Sequence, residues 1–248
     1  MFVFLLTDIF FYIIIFSLGY YVYYVRKTKD ILDTWKHVFK SKTGIISIIV
    51  LAFFLLIAIL DSIHFKEKIK NENNDLISYS SEIKSVLDLI LLPTYQNAEK
   101  SYSSPFSSNL YSKETRILEN NIEQRVYPKL LHKGNHNKYF EKNSLNIFLT
   151  FVFSLFKYIL FFSIFYFFIF YKIVFKGISD LCHHLNSNKT FFATISVISL
   201  ISIFLYDLSL QYYVLGTDKV GVDVLYKSIK SIRTGILIGT LTTIVMLP

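Results

Sequence analysis

Asp8 and Lys157 are the two ionisable residues placed deep inside long apolar runs of this sequence. An ion in a bilayer core is costly, so such groups face a partner or a water-filled cavity. Asp8 lies about a third of the way into the first apolar run and Lys157 near the middle of the third. The expectation is that they pair with each other or pack helices, rather than line an ion path; the long Lys157 stem can also carry its ammonium towards an interface. His132 and His136 have the i, i+4 spacing of a metal pair, but Gly134 stands between them and no glutamate completes a metalloprotease pattern. Cys182, His183 and His184 are consecutive. Neighbouring helix residues point about 100° apart, so these three read as solvated loop rather than as a metal centre. With one cysteine there is no internal disulfide. The chain has no glycine-rich phosphate loop, nucleophile elbow or catalytic triad. The expectation is a protein that is not an enzyme and holds no metal and no cofactor of its own.

A more composed stretch is YVLGTDKVGVDVLYKSIKSIRTGILIG, residues 213–239, which separates two apolar segments. Gly216 permits a turn, and Thr217 or Asp218 can cap a helix expected from about Lys219 to Ser231. That helix is expected to lie on the membrane surface. Arg233 then stands where the last apolar segment begins, with its guanidinium free to reach the interface.

The elements that must position these groups follow from composition. The chain has 248 residues, 53% hydrophobic and 18% aromatic, with a mean hydropathy of +0.45. One soluble core cannot hide so much apolar surface, and the class is integral membrane. A net charge of +8 does not indicate nucleic acid here, because cytoplasmic loops of membrane proteins are basic for topological reasons. About 20 apolar residues cross a bilayer core of roughly 30 Å. Spans are therefore expected at 2–25, 43–60, 145–171 and 190–206, with a fifth starting near Thr234. A signal peptide is disfavoured because no basic residue precedes the first run and no small-residue cleavage site follows it.

Between the first two spans lie Arg26, Lys27, Lys29, Lys36, Lys40 and Lys42 against Asp30 and Asp33, which keeps this loop cytoplasmic and puts the amino terminus outside. Residues 61–144 and 213–233 are then outside, and 172–189, with Lys172, Lys176 and Lys189, inside. Trp35 and Phe39, four residues apart among lysines, fit an interfacial helix under the membrane. Within the long outer segment, Val86, Leu87, Ile90 and Leu91 fall at helical spacing with Pro93 as a stop, and the apolar content is too low for a robust independent domain. No internal repeat or heptad pattern is present.

Leu215, Gly216, Thr217 and Asp218, then Gly221, then Asp223, Val224 and Leu225, then Arg233 and Gly239, resemble the segment preceding the second core helix in the inner-membrane permeases of dipeptide and oligopeptide ABC importers, the OppC/DppC type. That family typically reads LGTD, two residues, GRDVL, a short run to GAR and a span. Val222 replaces the usual arginine, Tyr226 and Lys227 a Ser-Arg pair, and Ser231 a glycine, so a salt bridge made by the family's arginine is not carried over. Residues 34–62 resemble that family's aromatic-basic amino-terminal stretch and first core helix. Together the two matches cover about a quarter of the chain.

The resemblance implies an all-α polytopic membrane protein, a partial type I importer permease with about five membrane segments and an extracytoplasmic insert. It implies the following organisation: an extra helix at 1–25, a basic stretch and first core-like helix at 26–62, the insert at 63–144, an extra helical hairpin at 145–210, and the motif with the start of the next core helix at 211–248. It implies a subunit of the inner (cytoplasmic) membrane that forms part of a peptide translocation path. Its partners would be a second permease subunit, two ATPase subunits that bind ATP, an extracytoplasmic peptide-binding protein and membrane lipid, with no nucleic acid. Leu215, Gly216, Thr217, Asp218, Gly221, Asp223 and Arg233 would be the motif residues of that path. From Ile236 to Pro248 run 13 residues, about 20 Å of helix, short of a full span. The sequence thus reads as the amino-terminal part of such a permease, without the cytoplasmic coupling loop and unable to transport alone. The alternatives are a non-transport membrane scaffold or partner-binding protein whose outer segment docks another envelope protein, a non-functional truncated permease and, more distantly, a membrane hydrolase using His132, His136 or Asp218.

Overall fold

Long runs of Phe, Ile, Leu and Tyr satisfy their backbone polar groups internally, and helix accordingly dominates the chain. The computed structural model describes residues 2–70, 77–95, 98–117, 123–133, 143–169 and 189–246. Cys182, His183, His184 and His136, the basic residues Lys172 and Lys176, and the end of the third expected span lie outside the described residues. The chain divides into two compact units, Met1–Leu92 with Ser228–Pro248, and Pro93–Lys227.

In the first unit, strand β1 (Phe2–Val3) leads into α1 (Leu6–Lys27), α2 (Lys29–Lys40) and α3 (Lys42–Ser62). The breaks between these helices are single residues in extended conformation, Thr28 and Ser41. The Ser41 hydroxyl oxygen accepts from the Gly44 amide at 3.1 Å and so starts α3, while donating to the Val38 carbonyl at 2.8 Å to close α2. Strands β2 (His64–Lys70) and β3 (Ile77–Ser85) pair antiparallel, with β1 on the other side of β2, in the order β1-β2-β3. The register sets Phe2 against Phe65 and His64 against Ser85. Helix α4 (Val86–Tyr95) follows. It runs past Pro93, which the sequence reading took as a stop, so the expected end falls inside the helix.

The second unit holds the hairpin of β4 (Glu114–Ile117) and β5 (Glu123–Val126), then α5 (Asn143–Ile169) and α6 (Lys189–Gln211). Phe151 and Phe204 meet edge-to-face at 5.2 Å between α5 and α6, Thr150 donates to Gln211 at 3.3 Å, and Tyr158 bonds Ser196. Helix α7 (Val224–Met246) begins at the junction of the two units in sequence.

Five helices, α1, α3, α5, α6 and α7, are long and apolar enough to cross a membrane. Two expectations change. The chain is mostly helical rather than all-α, because the alternating runs HFKEKIK and ISYSSEIKS pair as strands. The fifth helix is not cut short: it starts at Val224 and its 23 residues make about 34 Å.

Candidate functional site

Each of the two ionisable groups singled out in apolar runs has a charged partner within its own unit. Lys157 donates to Asp207 Oδ1 at 2.7 Å within the α5–α6 pair, and Asp207 is buried. Asp8 instead sits in the first turn of α1, not a third of the way along it, because α1 begins at Leu6. There its Oδ2 accepts from the Leu5 amide at 3.0 Å, and its negative charge faces the positive end of the helix dipole. His64 Nδ1 lies 2.9 Å from the same oxygen, and Arg233 Nη1 donates to Oδ1 at 2.5 Å. Asp8 is 0% exposed, so these three partners stand in for the water its carboxyl has lost.

The sequence puts the Arg233 guanidinium at an interface; the structure instead holds it half-buried between two carboxylates. Its Nε lies 3.2 Å from Asp61 Oδ2, an ion-pair distance at which the N–H is not directed along the line. The other Asp61 oxygen accepts from the Ser85 hydroxyl at 3.0 Å. Ser85 and Asp88 cap α4 reciprocally: the Ser85 amide donates to Asp88 Oδ2 at 2.8 Å and the Asp88 amide to Ser85 Oγ at 3.1 Å. Lys230, one turn before Arg233 on α7, donates to both Asp88 oxygens at 2.8 and 2.9 Å. A continuous chain of hydrogen bonds and ion pairs runs from His64 through Asp8, Arg233, Asp61, Ser85 and Asp88 to Lys230. It lies where α1 starts and α3 ends, with the Tyr12 hydroxyl donating to the Ser62 carbonyl at 3.1 Å on the same end.

The sequence reading found Asp8 and Arg233 but missed Asp61, His64, Asp88 and Lys230. A legible signal existed. Asp61 adjoins a long apolar run at its boundary, and Asp88 stands inside the short run 86–92, places where a carboxylate has a choice between water and a buried cation. The arrangement is a fixed ion network. Among the described residues no group of three or more His, Cys, Asp or Glu is arranged to hold a metal ion.

The motif residues form a second constellation, in the second unit. Gly216 and Gly221 both have φ of +78°, which a side chain would strain. Asp218 Oδ1 accepts from the amides of Val220 at 3.0 Å and Val222 at 2.9 Å, and Gly221 donates back to the Asp218 carbonyl at 2.9 Å. These bonds close a turn over residues 218–222, so the expected helix from Lys219 does not form. Asp223 is the cap instead, its Oδ1 accepting from the Leu225 amide at 2.9 Å, and a single helix runs from Val224 through Arg233. Leu215 is exposed, and Asp218 pairs with Lys227. That ion pair holds the Asp218 carboxyl below its ordinary range.

Residues from 98–117 and 123–133 contact this motif. Thr217 donates to the Ser101 carbonyl at 2.8 Å and contacts Ser103 Oγ at 3.1 Å. The Glu99 amide donates to the Gly221 carbonyl at 2.9 Å. The Glu99 carboxylate in turn accepts from the amides of Leu131 and His132, at 3.0 and 2.8 Å, and from the Tyr213 hydroxyl at 3.4 Å. Lys133 reaches Asp223 Oδ2 at 3.0 Å while its ammonium lies 4.7 Å over the Tyr213 ring. Burial pushes the Lys133 ammonium down against the opposing pull of Asp223, and burial with the Glu99 carboxylate pushes the Tyr213 phenol up. Tyr213 packs with Leu110 and Leu130 in a small core.

Thr217, Asp223, Gly216 and Gly221 are thus brought together with a segment the sequence reading left as polar insert, and Arg233 joins the separate ion network. Comparison of the chain with protein-family models, with curated proteins and with solved structures yields no match.

Proposed function

We propose that this chain is a multi-pass protein of the inner (cytoplasmic) membrane that acts as a permease-type subunit of a binding-protein-dependent ABC importer for peptides. The observation that carries the reading is the order of parts at 215–246. A motif whose two glycines adopt left-handed backbone is followed directly by an aspartate cap and a helix long and apolar enough to span. The resemblance in letters extends, on this reading, to a turn and helix entry that those letters require. Peptide would arrive from an extracytoplasmic binding protein and pass between this chain and a second permease subunit, with ATP hydrolysed by two ATPase subunits. Disrupting the gene in its native cell and measuring uptake of labelled di- and tripeptides tests this. A fall in uptake, with ATPase subunits co-purifying with the intact chain, is expected; unchanged uptake and no co-purifying ATPase would sink it.

A second reading, a membrane scaffold that docks another envelope protein, is favoured by one feature. Thr217 and Asp223 are 4% and 1% exposed, held by structural bonds rather than facing a path. In that case the uptake experiment gives no change while an envelope protein co-purifies.

A further inference from the structure

Among the described residues, nothing fully buries the apolar face of helix α2: Ile31, Leu32 and Trp35 are half-buried and Val38 and Phe39 exposed. Ile31, Leu32, Trp35, Val38 and Phe39 recur at i, i+1, i+4, i+7 and i+8, a single stripe, yet no residue of α2 is buried. Trp35 is tied inward, its indole donating to the Tyr21 hydroxyl at 3.4 Å, while Val38 and Phe39 are exposed. Helices α1 and α3, both long and apolar enough to span, continue from either end of α2 through one residue each. On the membrane reading proposed above, α2 is thereby held at the bilayer surface with no slack to leave it.

The charge around that stripe is one-sided. Residues 26–42 hold six basic side chains and two acidic ones. Asp33 is taken by Lys36 at 2.8 Å, and Lys27 lies over the Tyr23 ring at 4.8 Å. Arg26, Lys29, Lys40 and Lys42 are exposed and have no ion pair among the described residues. They stand at the two ends of α2, where α1 ends and α3 begins, so they frame the apolar stripe at headgroup depth. Topology alone asks only for basic residues in this loop. It does not ask for an amphipathic helix with its cations left unpaired at both ends.

We infer that α2 and its flanking cations dock on anionic phospholipid headgroups, enriching such lipid around this elbow. The stripe enters the headgroup–acyl boundary, the four unpaired cations meet lipid phosphates, and Trp35 lies between. The occupant is the bilayer surface itself, not a soluble anion.

Trp35 is the chain's one tryptophan and reports this site directly. The full chain is reconstituted in vesicles of phosphatidylcholine mixed with phosphatidylglycerol, one lipid or the other carrying brominated acyl chains, and Trp35 quenching is measured. The expected result is preferential quenching by brominated phosphatidylglycerol, an enrichment of about fivefold or more. It should shrink at high salt and be unmoved by inorganic phosphate. Replacing Arg26, Lys29, Lys40 and Lys42 by glutamine should bring the two lipids level, whereas Lys29→Arg, Lys40→Arg and Lys42→Arg together should keep the preference. Equal quenching in the unaltered chain, a preference surviving the glutamine variant, or its loss to free phosphate overturns the inference and leaves the membrane reading standing. No quenching by either lipid overturns the membrane reading as well.

Discussion

Arg233 Nη1 donates to Asp8 Oδ1 at 2.5 Å, joining the start of the first long helix to the last one. Both side chains are withdrawn from water, and the same guanidinium lies beside Asp61. The pair therefore matters less for the energy it adds than for what its loss exposes.

Removing one member of a buried ion pair leaves an uncompensated charge, at a cost of about 3–5 kcal/mol, whereas replacing all members by neutral groups of similar size is much less harmful. Arg233→Met should lower the stability of the purified protein by that amount, as read by thermal or SDS unfolding. The triple change Arg233→Met, Asp8→Asn and Asp61→Asn should recover most of it. A triple variant no more stable than the single one would show that the network is not what Arg233 supports.

The motif glycines carry a second expectation. A Cβ at Gly221 would lie 1.8 Å from the Glu99 carbonyl oxygen, and one at Gly216 2.3 Å from that of Ser103, both at left-handed φ. Gly221→Ala and Gly216→Ala should each cost more than about 2 kcal/mol and open residues 98–133 to limited proteolysis, since strain and clash add. Gly235 and Gly239 have nothing within 4 Å of an added Cβ. Alanine there should be neutral, or stabilising by up to about 1 kcal/mol through helix propensity. Equal effects at all four positions would refute the wrapped turn.

These two constellations mark how far the sequence was legible. Spans are a property of composition, so all five long helices were found, four of them within a few residues. The start of α7 was missed because two aspartates compete to cap it. Asp218 spends its carboxylate on a turn that Gly221 ends, and only the second, Asp223, is left to open the helix. Asp8 and Arg233 were each visible as polar residues beside apolar runs, but nothing local says that they meet. Their partners are fixed by how α1, α3 and α7 pack, which no local stretch of sequence reveals. The strands of residues 64–85 alternate plainly, yet the lysines among them masked a period of two.

Acid should loosen the motif turn. Lys227 holds the Asp218 carboxyl below its ordinary value, so the folded carboxyl binds its proton less readily than the unfolded one. The resulting stability is fully present above the unfolded carboxyl's pKa, near 3.9, and is lost as pH falls through the folded value. Water reaches this pair, and its worth is at most about 1 kcal/mol. Lys227→Met should accordingly remove part of the pH dependence below about pH 4 while leaving stability at neutral pH within that margin. An unchanged acid limb in the variant would assign it to other carboxylates.

The membrane reading makes a sidedness prediction that unit-internal geometry fixes. Helices α1 and α3 both run between α2 at one end and the β1-β2-β3 sheet at the other, because α1 ends and α3 begins beside α2, while β1 precedes α1 and β2 follows α3. If these helices cross a bilayer, α2 and the sheet lie on opposite faces, with the basic α2 inside. After Cys182→Ser removes the natural thiol, Ser81→Cys on β3 should react with a membrane-impermeant maleimide on intact cells. Thr34→Cys on α2 should react only once the membrane is permeabilised. Both positions bear small polar side chains outside the ion network, so neither change disturbs the helices whose crossing is being tested. Labelling of both from outside would mean that α1 and α3 do not cross. The reverse pattern would keep the crossings and invert the chain, placing the sheet and the Asp8–Arg233 end in the cytoplasm.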